Sequence, residues 1–385
     1  MEPTQDKPEQ RLNHAIWNRD IEAVREAIDA GADLNARGYW SQFLPLQSAV
    51  HCGFVEAITL LIQRGANPRP PKQYPNESNL LQDAARSKSV ETVRLLLNVE
   101  FSIHETGSHG RTPLTDAVAQ FVRVPTPDAV AVVEEFLAQG AEIDARDENG
   151  LTALHHAAWW SFPEAIPVLI AHGAAIEAVT DKGYTPLLYA VAGREHQDRR
   201  TADLVGGLLH AGANVHAQTP KGETPLHFAA ANRAPVDVLQ LLLDAGANLE
   251  ATAKRGITPL AGALGSDKTF AFLLRAGADV APLLAAKGKP ALLTAVENEN
   301  AVAVRVLLQA GADANEVYRG KLALHAAIRK ANPDIVAALL AAGADISLSD
   351  KTGITALEYA HRRRRNDVLV LVEAARHTNN VSANH

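Results

Sequence analysis

The sequence predicts an all-α solenoid built from stacked pairs of short helices. A Gly-Ala pair, followed closely by Asp, Asn or Glu, recurs about every 33 residues along the chain. Each interval holds two short apolar segments separated by a turn, and aromatic residues make up only 5% of the 385 residues. The helices must therefore pack through Ala, Leu, Val and Ile. A stack in which each unit contacts only its neighbours reaches this length without one central core.

The first helix of each unit is predicted to begin at a capping residue, as Thr152 does before the apolar run 153–158. A threonine side chain there accepts a free backbone N–H of the first turn. Proline suits the first helical position because its nitrogen has no proton to leave unpaired. It follows the capping threonine at Pro113, Pro186, Pro225 and Pro259.

The second helix is predicted to end at the recurring glycine, which takes the left-handed conformation that stops a helix. These glycines are Gly31, Gly65, Gly140, Gly173, Gly212, Gly246, Gly277, Gly311 and Gly343. Glu100 occupies the slot where the third unit should have a glycine. We expect that helix end to be strained or differently shaped.

The unit resembles the ankyrin repeat, whose hallmark is Thr-Pro-Leu-His followed by Ala, and the nearest match is Gly222–Ala230. The resemblance implies helix-turn-helix units, short hairpin-like fingers between them, and a concave face of fingers and first helices that binds partners. It covers residues 10–376, with 1–9 and 377–385 as terminal tails. About eleven units, the first and last acting as caps, open near Gln10, Leu44, Asn79, Thr112, Thr152, Thr185, Thr224, Thr258, Pro290, Leu322 and Thr355.

Three segments depart from the common length. Two units carry extra residues between their helices, near 121–128 and 193–200, and one finger, Asn67–Pro75, is rich in proline. The insertions form either a secondary contact site or tolerated surface variation, since longer loops cost little. The finger either presents Arg69 and Tyr74 to a partner or is a stiff surface loop.

By the resemblance, partners contact the end of each first helix and the residue before each capping residue. Trp159, Trp160, Leu151 and Tyr184 occupy such positions in adjacent units. Exposed tryptophan and tyrosine are typical binding anchors. The alternative is that one tryptophan packs back into the stack.

Basic residues cluster at the same positions in the C-terminal third. They are Lys287, Lys289, Arg319, Lys321, Arg329, Lys330, Arg362 and Arg363, opposed in part by Glu297 and Asp350. A basic patch on an acidic chain predicts a partner with an acidic segment. An ordinary solvated face is the alternative. Nucleic acid is a weaker alternative as the partner, because single-strand binding usually needs several aromatic rings for stacking. Among these basic residues the sequence offers little beyond Tyr318. The predicted basic site consists of Lys289, Arg319, Lys321, Arg329 and Lys330.

The composition of the chain restricts its expected partners and its expected location in the cell. A net charge of -7 argues against general binding of polyanions. Cys52 is the single cysteine, so no internal disulfide forms and a reducing compartment is expected. The start resembles no signal peptide, and no run of about 18 apolar residues exists. These features predict a cytoplasmic protein without a membrane segment, and the high alanine content indicates a bacterial chain.

Catalytic signatures are missing from the sequence. It contains no phosphate-binding glycine loop and no zinc-type spacing of His and Cys. His155, His227 and His325 lie in the capping turns, where they serve the fold. His51 and Cys52 are adjacent on a helix and point apart, which disfavours a nucleophile pair. We therefore expect no enzyme, no metal site and no cofactor.

The sequence thus predicts a non-catalytic protein–protein interaction module that binds a protein or peptide on its concave face. A cytoplasmic adaptor or an immunity-type inhibitor is the favoured setting, and the protein is expected to be a monomer. One alternative is a bacterial effector that binds host proteins. The other is a nucleic-acid-associated regulator that uses the basic patch.

Overall fold

The computed structural model describes residues 7–37, 43–69, 79–99, 101–119, 127–193, 199–286, 288–330, 332–363 and 366–382. Within these ranges the chain is helical and contains no strand, which confirms the all-α prediction. The chain divides into two compact units. The first consists of Met1–Pro186 with His210–Gly212, and the second of Leu187–Leu209 with Ala213–His385.

The first unit contains ten helices in its described part. They are α1 (Pro8–Trp17), α2 (Ile21–Asp29), α3 (Pro45–His51), α4 (Val55–Gln63), α5 (Leu80–Ser87), α6 (Val90–Asn98), α7 (Pro113–Val118), α8 (Pro127–Ala138), α9 (Ala153–Trp159) and α10 (Ala165–Ala171). The first helices α1, α3, α5, α7 and α9 pack in one layer, and the second helices pack in the other. The core lies between the layers, where Phe136, Leu154 and Leu169 are completely buried.

The second unit repeats this two-layer arrangement. Its helices are α11 (Pro186–Ala192), α12 (Arg199–His210), α13 (Pro225–Ala231), α14 (Val236–Asp244), α15 (Pro259–Gly262), α16 (Asp267–Arg275), α17 (Ala281–Ala285), α18 (Ala291–Glu297), α19 (Ala301–Gln309), α20 (Ala323–Lys330), α21 (Pro333–Ala341), α22 (Ala356–Arg363) and α23 (Asn366–Ser382). Leu226, Phe270 and Leu339 are fully buried in its core. Burying such a side chain contributes about 2 kcal/mol each, so the stack is held mainly by aliphatic packing.

The predicted helix ends are confirmed. All nine recurring glycines have a positive φ, between 84° and 98°. In this left-handed conformation the glycine and the alanine after it donate their N–H groups to carbonyls of the last turn, as Gly173 and Ala174 do to Ile170 and Leu169. Glu100 lies outside the described residues.

The predicted caps are present at several first helices, whereas the hydroxyls of Thr152 and Thr224 lie 3.0 and 2.8 Å from Nδ1 of His155 and His227 instead. The hydroxyl of Thr112 accepts the N–H of Thr115 at 3.3 Å, and that of Thr258 accepts the N–H of Ala261 at 3.4 Å. Asn79 does the same for Gln82 at 2.9 Å. The first turn of each of these helices therefore has one of its free N–H groups satisfied by the residue that precedes it.

Three of the fingers in the described part of the chain close as short hairpin turns, as the resemblance implied, and another does not. Isolated antiparallel bridges join Ala253 to Ile257, Tyr318 to Lys321, and Ser349 to Thr355. The finger after Gly277 instead contains the short helix α17. Its Leu283 is 4% exposed, so this finger packs an apolar side chain rather than closing a hairpin.

Both ends of the helical region extend past the boundaries expected from the sequence. Helix α1 begins at Pro8, which lies before Gln10, and α23 continues to Ser382, which lies after Arg376. Pro8 is favourable in a first turn, and residues 366–382 contain no glycine to stop the last helix.

Candidate functional site

The candidate site is the surface formed by the fingers and the ends of the first helices, here called the finger surface. In each repeat it includes the residue before the cap and the last residues of the first helix. Local hydrogen bonds fix the backbone on which these side chains stand.

His155 fixes the finger that carries Tyr184. Its Nδ1 accepts the Thr152 N–H at 3.2 Å and lies 3.0 Å from the Thr152 hydroxyl, while Nε2 lies 3.0 Å from the Tyr184 carbonyl oxygen. These partners require the neutral tautomer with its proton on Nε2, which donates to the carbonyl. Burial lowers the pKa of His155 to about 4. The histidine is therefore a structural link between repeats.

His227 makes the same link in the second unit, with Nδ1 accepting the Thr224 N–H at 3.1 Å and Nε2 lying 2.9 Å from the Ile257 carbonyl oxygen. Burial lowers its pKa as well. His325 donates to the Ile354 carbonyl at 2.9 Å. The structural role predicted for the three histidines is thus visible in their hydrogen bonds.

Asp147 fixes the finger that carries Leu151. Its carboxylate accepts the N–H groups of Asn149 at 2.8 Å and Leu151 at 2.9 Å, and its other oxygen lies 3.0 Å from Nε2 of His156. Burial would raise the pKa of Asp147, but the bonds from His156, Leu151 and Asn149 outweigh it and the pKa is lowered. Leu151 is thereby held at a defined position beside α9.

The four predicted anchors are all on the finger surface of the first unit, and neither tryptophan is buried. Trp159 ends α9 with 41% of its surface exposed. Trp160, Leu151 and Tyr184 are half-buried. A large ring with this exposure is accessible to a partner, whereas the half-buried residues offer only part of their surface.

A second aromatic group lies near the start of the first unit. Trp17 is 44% exposed, and Phe43 is 36% exposed. The ring of His51 lies 5.8 Å from each of theirs, measured between centroids, and is nearly parallel to Phe43. The register places these residues on the finger surface, but the sequence gives no sign that the three rings meet. Beside them, burial raises the pKa of the Cys52 thiol, with a smaller opposing effect from Arg19.

The basic residues of the second unit are neutralised unequally. Lys289 and Lys321 both bind Glu297, the latter at 3.1 Å. The bond from Lys289, opposed by burial and assisted by Lys321, lowers the pKa of Glu297. Lys330 lies 3.2 Å from Glu299.

The other two predicted cations have a different environment. The guanidinium of Arg319 lies 5.3 Å from the centre of the Tyr318 ring. Arg329 is exposed and lines a cavity of about 270 Å³ together with Lys321 and Lys351. Sequence reasoning missed Lys351, because finger residues of this kind are polar in most repeats.

A buried carboxylate of the first unit gathers polar side chains from two neighbouring repeats. The side chain of Arg86 reaches helix α7 of the next repeat. Its guanidinium lies 2.9 Å from Asp116, which is 1% exposed. Gln82 donates to the other oxygen of the same carboxylate, and Arg111 lies 3.5 Å away. This cluster joins two repeats through charge.

Several predicted features fall outside the described residues. They are Tyr74, most of the proline-rich finger, Lys287 and the centres of both insertions, 121–126 and 194–198; the Arg363 side chain is also outside. Among the residues that are described, no helix is long and apolar enough to cross a bilayer. The same residues contain no group of three or more His, Cys, Asp or Glu side chains arranged to hold a metal ion.

The fold and the finger surface together define a class of repeat protein that is typically a non-catalytic interaction scaffold. The family model for ankyrin repeats matches residues 127–198, 197–283, 265–350 and 292–382. Because these matches cover more than half of the sequence, the chain belongs to the ankyrin-repeat family.

Curated relatives share the repeats over part of their length. Inversin of Canis lupus familiaris is 28% identical over 201 residues, which cover 52% of this chain and 18% of inversin. Protein glp-1 of Caenorhabditis elegans is 29% identical over 177 residues, covering 44% and 13%. Palmitoyltransferase AKR1 of Lachancea kluyveri is 28% identical over 201 residues, covering 51% and 25%. The chain thus spans a quarter or less of these relatives, and the similarity concerns this region alone.

Proposed function

We propose that this chain recognises a protein or peptide on its finger surface, with Trp159 and Trp160 as anchors beside Leu151 and Tyr184. The basic residues Lys289, Arg319, Lys321, Arg329 and Lys330 orient an acidic segment of the partner. The repeat stack presents a preformed surface, which lowers the cost of ordering on binding.

The exposed ring of Trp159 carries this proposal. At 41% exposure it leaves a large apolar surface in water at the end of α9, where burial in the core would have been favourable. Leu151 and Tyr184 lie on backbones held by Asp147 and His155, so the anchor stands on a rigid support. Such aromatic side chains carry a large share of the energy in protein interfaces.

Affinity capture from the source cell, with quantitative mass spectrometry, tests the proposal. We expect the wild-type chain to enrich a specific protein, and the double substitution Trp159→Ala with Trp160→Ala to reduce that enrichment by about tenfold or more. Val236→Ala is the matched control, because Val236 is also 41% exposed but begins the second helix α14. Unchanged enrichment with the double variant, in a protein whose circular dichroism is intact, would place the anchor elsewhere.

The biological setting that we propose is a cytoplasmic adaptor or an immunity-type inhibitor, acting as a monomer. A captured host protein would favour the effector alternative. Captured nucleic acid, with binding lost in Arg329→Ala and Lys330→Ala and a steep dependence on salt, would favour the regulator. The bacterial origin indicated by composition stays a prediction, since the relatives named above are eukaryotic.

A further inference from the structure

The cavity beside Arg329 has an unusual charge balance for a surface with many lysines and arginines. Its wall includes Lys321, Arg329, Lys351 and one acid, Asp350. Lys321 lies 3.1 Å from Glu297, which also binds Lys289, so its charge is matched only in part. Arg329 and Lys351 form no ion pair within the part of the chain that the structure describes.

The carboxylate of Asp350 is committed to its own finger. It accepts the N–H of Thr352 at 2.8 Å, the hydroxyl of Thr352 at 2.6 Å and the N–H of Ile354 at 3.3 Å. The bonds from Thr352 lower the pKa of Asp350, so it remains ionised. Arg329 and Lys351 exceed Asp350 by one positive charge, and the partly matched Lys321 adds to this excess.

The backbone brings the finger of Lys351 against the finger that precedes Lys321. Gly320 has a φ of 70°, and a Cβ there would lie 2.6 Å from the Cβ of Lys351, closer than two carbons pack. Because position 320 has no side chain, the next finger approaches it and the N–H of Lys351 donates to the Gly320 carbonyl at 3.2 Å. The contact between the two fingers thus places Lys351 in the wall of the same cavity as Lys321 and Arg329.

Two rings in the wall of the cavity are held in place. The ring of Tyr359 packs edge-on against His325, with centroids 6.1 Å apart. His325 is held in turn by its bond to the Ile354 carbonyl. A wall that is already fixed lowers the cost of ordering side chains around a bound anion.

We propose that this cavity is the seat for one aspartate or glutamate side chain of an acidic peptide. A single carboxylate pairs with the two cations that form no ion pair of their own, and the nearby carboxylate of Asp350 disfavours a second anionic group. The guanidinium of Arg329 offers paired donors that suit a carboxylate. The inference rests on the proposed function and adds to it the position of the acidic contact, including Lys351 and Tyr359.

The test uses short fluorescein-labelled peptides of alternating glutamate and glycine, with a glutamine version as the neutral probe, in fluorescence anisotropy titrations of the full chain. We expect the glutamate peptide to bind more tightly than the glutamine peptide. Arg329→Gln with Lys351→Gln should weaken the glutamate peptide about tenfold or more. Lys351→Arg, which keeps the charge, should bind as the wild type does.

Lys268→Gln with Arg275→Gln is the matched control, because it removes the same charge from exposed positions on α16 of the same unit. It should change affinity by no more than about twofold. Equal losses in both double variants would show attraction to net charge alone and overturn the proposal. So would equal binding of the two peptides to the wild type. The peptide titrations do not involve Trp159. They can therefore support or contradict the proposed carboxylate site whether or not the capture experiment succeeds.

Discussion

The third residue of the first helix decides how one repeat is joined to the next. Gln82 does with an amide what His155 does with an imidazole: its Oε1 accepts the Asn79 N–H at 3.1 Å, and its Nε2 donates to the Arg111 carbonyl at 3.1 Å. The same pair of bonds is therefore compatible with two side chains. Only the histidine can take up a proton within the range of mild acid.

This equivalence predicts the effect of His155→Gln. The pKa of His155 is about 4 in the folded protein, against an ordinary value of 6.5, because burial disfavours the charged ring. Between pH 6.5 and 4 the histidine takes up a proton in the unfolded chain but stays neutral in the folded protein. The free energy of unfolding is therefore highest above pH 6.5, and it falls by about 3 kcal/mol as the pH drops to 4. The glutamine variant should lack this loss and have nearly wild-type stability at neutral pH.

Urea unfolding of both proteins at several pH values checks this prediction. Carboxylates titrate in both proteins, so the informative quantity is the difference between their free energies of unfolding at each pH. His155→Ala serves as the control that removes both hydrogen bonds, and it should be destabilised at every pH. A constant difference between wild type and His155→Gln would contradict the buried, neutral histidine.

At the scale of the element, the ends of the second helices depend on backbone conformation rather than on space. Gly246 has a φ of 89°, and a Cβ added there would meet no atom within 4 Å. Gly206 lies inside helix α12, where an added Cβ would touch only a methyl of Leu241 at an ordinary 3.8 Å. Alanine substitutions at these two glycines of the second unit therefore compare a left-handed position with a helical one, without crowding at either.

Alanine substitutions should have opposite signs at these two positions. We expect Gly246→Ala to destabilise by about 1 kcal/mol, because an L side chain is strained in the left-handed region. Gly206→Ala should stabilise by about 0.5 to 1 kcal/mol, since it restricts the unfolded chain and fits the helix. Chemical denaturation of the two variants measures both changes. Stabilisation by Gly246→Ala would show that this helix end does not need a left-handed residue.

At the scale of the whole molecule, two compact units each contain a buried capping histidine with a lowered pKa. His155 is bonded to Thr152 and Tyr184 in the first unit, and His227 to Thr224 and Ile257 in the second. Repeat proteins derive their stability from neighbouring contacts. Acid should accordingly weaken the two units separately.

The double substitution His155→Gln with His227→Gln tests this independence. Each substitution should remove part of the loss of unfolding free energy that acid causes. The part removed by the double substitution should equal the sum of the parts removed by the two single substitutions, within about 0.5 kcal/mol, because the two sites have different partners. Hydrogen exchange with mass spectrometry, corrected for intrinsic rates at each pH, would assign each effect to its own unit. A double variant no more resistant than either single variant would mean that the two histidines are coupled.

The sequence alone determined the helical repeat, its caps and its stops. These features depend on interactions between residues three or four positions apart, such as Thr152 with His155, and on the conformational freedom of single glycines such as Gly173. A local rule of this kind can be read from the order of residues. The same register placed Trp159 and Arg329 on the finger surface.

Only the tertiary structure decided which of these side chains have partners. Glu297 joins Lys289 and Lys321, and Lys351 shares a cavity with Arg329, because neighbouring repeats bring their fingers together at distances that a period in sequence does not specify. The helix α17 replaced an expected hairpin for the same reason, since Leu283 found a buried position there. Pairing of charges and burial of side chains are set by the approach of one repeat to the next.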